Sequence, residues 1–426
     1  MRAADRGMPA AAIALAAIAA GIALRLVWPG VIEFKADERW TFEQVQAILA
    51  GGAWPAFGMP TSMGPANPGL SIWLFALIGQ VFGAADPPAL ARAVQIVDSA
   101  ALVAMAVVIL RVVPEESRAP WLWALALYAV NPFAVLLERK IWPPSLVPPL
   151  MVLFFLGWWR RDRRWGAALW GAAGAAAAQL HLVAGLLSAL VALATLRSDG
   201  RQVRWPAWFA GSVLAGLPLV PWILAVAPAI ADGPRGGWRW RVPNFTYYLR
   251  WITQPLGIGI DYALGRDSFG AFLAAPVVNG RALHGGLALH AAVALAGIAI
   301  AVRAAIAWWR GVIGWRALAA GGGSDAALIV AAFWGMGLVL ALSTLNVHRH
   351  YLSIATLLPC LWLARLALAG GDTRAVRALL AALVVVEGLL SVAMLAHLRA
   401  AGGAPGLGAE FGATWEAQQQ AQPAAR

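Results

Sequence analysis

Three carboxylates fall within six positions of one another in the stretch VIEFKADERWTFEQVQAILAGGAWP, residues 31 to 55: Glu33, Asp37 and Glu38. A carboxylate can accept a proton from a hydroxyl nucleophile, and it serves best at the mouth of a site, because at the centre of a bilayer its charge would be costly and largely neutralised. A structural role fits the same residues: Asp37 can cap a surface helix that begins near Arg39, with Glu38 favourable in its first turn. Two basic motifs could supply the opposite charge. LLERKIWPPS (136 to 145) carries Glu138, Arg139 and Lys140, and NVHRHY (346 to 351) carries His348, Arg349, His350 and Tyr351. Arginine grips phosphate oxygens in a fork and lysine acts as a point charge, although the same residues at a helix end also anchor a membrane interface. His348 and His350 are two apart, so their rings diverge on a helix and share a side on an extended segment. A divalent metal held by this pair and the acids stays open.

These groups sit between apolar runs. Of 426 residues 61% are hydrophobic and 12% charged, far more apolar material than one soluble core could use. The chain reads as an all-α polytopic membrane protein of about eleven transmembrane helices. The runs are 8 to 28, 91 to 112, 120 to 137, 143 to 159, 165 to 180, 181 to 196, 206 to 228, 286 to 308, 326 to 345, 350 to 369 and 376 to 398. The run 69 to 83 is shorter and follows the breaker-rich GMPTSMGPANPG, so it is placed as an interfacial or re-entrant helix. TFEQVQAILAGG (41 to 52) is a second surface helix, stopped by its glycine pair.

The net charge of +12 lies mostly in short arginine-rich loops such as WWRRDRRW (158 to 165), which fits cytoplasmic loops better than nucleic-acid binding. With that loop inside, the first outer loop (31 to 68), LLERKIWPPS, the long segment 229 to 285, NVHRHY and the C-terminal tail all face the other side. Whether 165 to 196 makes two spans turning near His181 or one long helix is open, and one helix would invert every later loop. Residues 1 to 400 read as a single transmembrane domain, and the Gln-, Ala- and Gly-rich stretch 401 to 426 as a disordered tail. In the long outer segment, Arg235, Arg239, Arg241 and Arg250 mix with aromatics, so Tyr247, Tyr248 and Trp251 could lie against a sugar or a prenyl chain, or simply anchor at the interface. Asp98, inside an apolar run, is expected to pair with Arg92.

ADERWTFEQVQAILAGGAWP resembles the Asp-Glu motif and following A, L, G, W, P pattern in the first outer loop of the GT-C glycosyltransferases. The likeness is to the family 39 branch of protein O-mannosyltransferases, the lipid A aminoarabinose transferase and bacterial relatives. PGLSIWLFALIGQVFG, ARAVQIVDSAALVA, NPFAVLLERKIWPPSLVPPL and RHYLSIATLLP extend the resemblance in order along the N-terminal half and one late span. It implies transfer of one sugar, with inversion, from a polyprenyl-phosphate carrier to a glycan, lipid or protein acceptor outside the cytoplasm of a bacterial inner membrane. By the resemblance Asp37 is the base on the acceptor hydroxyl and Glu38 positions acceptor or sugar. Glu33, Glu138, Arg139, Lys140, His348, Arg349, His350 and Tyr351 are substrate-binding candidates. Relatives often carry an acid just after the matching arginine; here Glu138 precedes it, which leaves open whether their metal role carries over, and a divalent metal stays possible.

The chain has no Walker-type loop, no GxGxxG and no HExxH, which argues against a nucleotide-sugar donor. A transporter or flippase of lipid-linked glycans is the alternative, but such proteins usually show repeated halves and ionisable groups near the midplane. A non-catalytic scaffold would make Asp37 dispensable.

Overall fold

A computed structural model of the chain describes residues 3–60, 66–231, 243–315, 318, 323–343, 347–355, 357–404, 406 and 409–421. Its helices are α1 (Ala3–Leu26), α2 (Ala36–Leu49), α3 (Leu70–Phe82), α4 (Pro87–Arg111), α5 (Glu115–Val130), α6 (Pro132–Leu137), α7 (Val147–Trp159), α8 (Arg164–Leu180), α9 (Leu182–Asp199), α10 (Trp205–Gly216), α11 (Val220–Ala231), α12 (Thr246–Thr253) and α13 (Asp261–Ala274). After a short hairpin of β1 (Val277–Val278) and β2 (Arg281–Ala282) come α14 (Gly285–Trp309), α15 (Ala326–Leu342), α16 (His350–Ser353), α17 (Leu358–Leu368), α18 (Arg374–Ala401) and α19 (Trp415–Ala421). The architecture is all-α. Among the described residues, five helical stretches are long and apolar enough to cross a membrane: α4, Leu182–Gln202, Trp205–Val226, α14 and α18. Shorter apolar helices pack beside them.

Helix α5 is the hub, with every residue from Trp121 to Val130 buried, and α1, α17 and α18 pack around it. Its approach to α1 is so close that a Cβ on Gly21 would lie 2.3 Å from the Ala129 carbonyl oxygen, so only glycine fits there. The Asn-Pro pair after α5 makes a sharp break. The Asn131 side chain accepts from the N–H groups of Phe133 and Ala134 at 3.1 and 3.3 Å and starts α6. Its amide also donates to the Gln254 carbonyl at 2.9 Å and to Glu387 of α18 at 3.1 Å, tying the break to the last long helix.

Helix α3 has 13 residues, about 20 Å of helix, and packs against α2 and α4. Residues 165 to 196 form two helices. His181 adopts extended angles (φ −154°, ψ 122°), and its Nδ1 accepts from the Val183 N–H at 3.2 Å to begin α9. The far ends of the pair meet where Arg161 ion-pairs with Asp199, so α8 and α9 run antiparallel.

The two ends of the bundle differ in chemistry. At one end Trp121 donates to Asp325 at 2.5 Å, Arg365 pairs with the same carboxylate, and Arg161, Arg204 and Arg303 bind nearby carboxylates or carbonyls. Residues 28–35, 131–142, 181, 254–263, 347–351 and 409–416 meet at the opposite end. Of the C-terminal stretch, the described residues 409–421 lie at this end as well. Past Gly402 and Gly403, both at positive φ, the chain reverses and lies along the first outer loop. There Trp415 N–H donates to Ile32 at 3.0 Å and Glu416 N–H to Gly30 at 3.1 Å, while the Phe34 and Trp415 rings meet edge-on at 4.8 Å.

Two further expectations change. Tyr247 and Trp251 are buried against α15, the Tyr247 hydroxyl donating to the Ala332 carbonyl at 2.8 Å, so they pack the protein and do not line an open surface. Asp98 does not pair with Arg92: it is buried beside Glu138 with both carboxylate oxygens lacking a hydrogen-bond partner, whereas Arg92 is exposed. Arg235, Arg239 and Arg241 lie outside the described residues.

Candidate functional site

The first outer loop becomes helical at Ala36, earlier than the sequence suggests. Asp37 therefore sits in the first turn of α2 and not at the cap. Glu38 reaches back instead, and its Oε2 accepts from the Lys35 N–H at 3.3 Å, which satisfies one of the free N–H groups at the helix start. That rotation buries Glu38 and leaves Asp37 half-exposed, with no hydrogen bond or ion pair among the described residues.

Glu33 is buried at the centre of the cluster. Lys140 pairs with its Oε2, Lys35 with its Oε1 at 2.7 Å, and the Gly412 N–H donates to Oε1 at 3.0 Å. Lys140 also lies 3.4 Å from Glu38 Oε1 and 4.8 Å from the centroid of the Trp142 ring. One ammonium thus serves two buried carboxylates, and their proton affinities diverge. Burial alone would raise the Glu33 carboxyl, but Lys140 and Lys35 outweigh it and hold it below the usual carboxylate value. For Glu38 burial prevails, with the neighbouring Glu33 charge adding to it against Lys140, and its carboxyl is pushed up. Burial works against the Lys140 charge, yet the two acids keep its ammonium form favoured beyond the ordinary lysine range.

The three charged residues of LLERK go three ways because α6 stops at Leu137 and the chain leaves the helix at Glu138. Lys140 joins the acidic cluster. Arg139 turns to the end of α1 and donates to the carbonyls of Leu24, Arg25, Trp28 and Val31 at 2.7 to 3.1 Å. Glu138 points into the bundle, where it accepts from Arg25 at 2.6 Å and the Tyr128 hydroxyl at 2.5 Å. The Nη donors of Arg139 are thereby engaged in capping α1, and Glu138 lies away from the outer cluster.

Beside Glu33 and Lys140 lies a cavity of about 30 Å³ whose polar lining adds Trp142, Tyr262, Arg349, His350 and Glu410. Arg349 sits 4.9 Å from the Phe133 ring centroid and donates to the Ile258 carbonyl at 3.2 Å; its Nε has no hydrogen-bond partner. Burial, with Arg250 close by, lowers its guanidinium to about 10. His348 and His350 do stack, 5.3 Å apart and 14° from parallel. His350 meets Trp142 edge-on at 4.8 Å, and both His350 and Tyr351 touch His181, each at 5.5 Å. His348 Nδ1 lies 3.2 Å from the Tyr262 hydroxyl and 4.0 Å from Glu410. Among the described residues no three His, Cys, Asp or Glu side chains converge as metal ligands.

The fold therefore unites Glu33, Glu38, Lys140, His348, Arg349, His350 and Tyr351, with Asp37 on the adjoining helix turn. It adds residues that sequence reasoning missed: Lys35, Trp142, Tyr262 and Glu410. Of these only Lys35 and Trp142 adjoin a recognised motif; Tyr262 and Glu410 have no local signature and are delivered by packing.

What fold and site define is a polytopic helical membrane protein with a buried carboxylate–ammonium centre at one end of its bundle. No protein-family model matches the sequence. No curated protein matches it. The chain is similar in fold to several solved structures, among them these two. The apo oligosaccharyltransferase of Archaeoglobus fulgidus is 15% identical with a TM-score of 0.47, the match covering 91% of this chain and 55% of that one. ArnT from Cupriavidus metallidurans, bound to undecaprenyl phosphate, is 14% identical with a TM-score of 0.41, covering 89% of this chain and 77% of that one. The chain thus spans little more than half the length of the oligosaccharyltransferase.

Proposed function

We propose that this protein is an inverting glycosyltransferase that moves a sugar from a polyprenyl-phosphate donor to an acceptor on the extracytoplasmic side of the membrane. The observation that carries the reading is the Glu33–Lys140–Glu38 centre with Arg349 beside it, at the opposite end of the bundle from the arginine-rich loops. Those loops fit the cytoplasmic side by the positive-inside rule, which supports an extracytoplasmic address for the centre. The motif resemblance of the first outer loop supports the same reaction.

In this reading the acceptor hydroxyl gives its proton to Asp37, the half-exposed acid, as its oxygen bonds to the anomeric carbon. The bond from that carbon to the phosphate oxygen breaks, and the electron pair leaves with the polyprenyl phosphate. Lys140 and Arg349 neutralise the departing phosphate, taking the place that the sequence suggested for Arg139. Glu38, whose proton affinity is raised, positions a sugar or acceptor hydroxyl. The test is transfer of radiolabelled sugar from membrane-extracted polyprenyl-phosphate donors by purified protein. Asp37→Asn should abolish transfer while leaving expression intact; transfer at the wild-type rate would remove the catalytic assignment.

A further inference from the structure

The cavity at the centre has room for about one or two water molecules, whereas a site that holds a sugar is roughly ten times larger. What closes it is the C-terminal strap, residues 409–421, which supplies Glu410 and Phe411 to its wall. We propose that this strap is a displaceable wall of the active site: it lifts to admit the sugar-bearing substrate and, on closing again, brings Glu410 against the hydroxyl groups of that sugar. This inference rests on the transferase reading above.

The strap's attachments suit that task. It is held mainly by backbone hydrogen bonds: Glu410 and Phe411 N–H to Tyr262 and Ala263 at 3.1 and 2.9 Å, then Trp415 and Glu416 to Ile32 and Gly30. Its helix α19 has no buried residue, and Phe411 is the one large apolar side chain that the strap buries. An element with so little apolar burial opens at low cost compared with the bundle. A pivot is present in Gly402 and Gly403, where α18 ends with φ of +69° and +115°, angles a side chain would resist.

The latch consists of charge-assisted hydrogen bonds from strap backbone groups to Glu33 and Lys35, and it shares those charges with the substrate. Glu33 Oε1 accepts from Gly412 and pairs with Lys35, and the Lys35 ammonium also donates to the Glu410 carbonyl. A phosphate arriving at Lys140 competes with Glu33 and draws on the same charges that fasten the strap, so anion binding and lifting are coupled. The Glu410 carboxylate has no lysine or arginine ion-pair partner among the described residues. Its half-exposed carboxylate faces Tyr262 and His348, leaving acceptor capacity for hydroxyl donors.

A disulfide tests this directly. A Cβ on Gly30 would lie 3.1 Å from Glu416 Cβ, a few tenths of an ångström short of the ordinary disulfide span of about 3.5 to 4.5 Å, so a small shift of the strap accommodates the bond. Gly30→Cys/Glu416→Cys is made in a Cys360→Ala background with Trp142→Cys on the cavity wall as reporter. Labelling of residue 142 by a water-soluble maleimide is read by peptide mass spectrometry. The oxidised lock should slow labelling at least about tenfold relative to the protein lacking Glu416→Cys. Equal rates overturn the proposal, and so does absence of labelling in both, which would mean that the strap does not lift. Phe34→Cys/Ala413→Cys, one rung along, serves as a second lock if the first does not fold. Because this readout needs no turnover, it stands apart from the transfer assay. In that assay Glu410→Gln should raise KM for the sugar donor about tenfold with kcat changed less than twofold; an unchanged KM overturns the role of Glu410.

Discussion

Each charged side chain around the first outer loop is defined by which partner it reaches. Arg139 looks like a phosphate ligand in sequence, yet four carbonyls at and just past the end of α1 take its Nη donors. Arg139→Ala should therefore lower the melting temperature in detergent, with a loss of about 3 kcal/mol or more for stranding buried acceptors, and a melting curve identical to wild type would contradict that role. On the transferase reading, Lys140→Met should instead weaken binding of a polyprenyl phosphate about tenfold or more, as measured by titration. The two acids give opposite pH signatures. Glu33 is held below its ordinary value of 4.5, so its stabilisation is complete above that pH and lost as pH falls through its lowered folded value. Glu38 is raised above the same ordinary value, so stability falls as pH rises past 4.5 through its higher folded value. Thermal melts from about pH 3 to 8 should accordingly find Glu33→Gln destabilised at neutral pH with a flatter acid limb, and Glu38→Gln stabilised at neutral pH. The reverse ordering would mean that Lys140 does not distinguish the two.

Helices act here mainly through where they stop. Glu38 fixes the start of α2, Asn131 breaks α5 from α6, and His181 separates α8 from α9; each break carries a site residue to the same end of the bundle. Between breaks, close contact sets the spacing. Gly21→Leu should wedge α1 from α5, because even a Cβ meets the Ala129 carbonyl at 2.3 Å, and it should reduce the fraction of protein eluting as a monodisperse peak after mild heating. Wild-type recovery would mean that the two helices can separate freely there.

For the whole molecule, the α8–α9 hairpin and the docking of the tail fix which segments share a face. Cysteines introduced at positions 54 and 416, in a Cys360→Ala background, should react with an impermeant thiol reagent from one side of sealed vesicles, and cysteines at 163 and 201 only from the other. Labelling of 54 and 163 from the same side would dismantle the arrangement of the site. Much of this was legible beforehand: the apolar runs, the acids of the first loop, Lys140 and the NVHRHY motif are written as patterns of polarity. Tyr262 and Glu410 were not, since neither stands in a pattern and a Gln-, Ala- and Gly-rich tail gives no sign of where it will dock.

By itself the sequence determined the medium and the chemical inventory. Its long apolar runs can be satisfied only as helices in a bilayer, and charges that cannot stay in hydrocarbon gather in the loops. Tertiary structure alone decided the assignments within that inventory: that Arg139 caps α1 while Lys140 joins two carboxylates, that the chain turns at His181, and that the tail closes over Glu33. Those outcomes depend on distances between residues up to 386 positions apart. A side chain's task is set by the nearest unsatisfied partner, and which partner is nearest emerges only when the helices have packed.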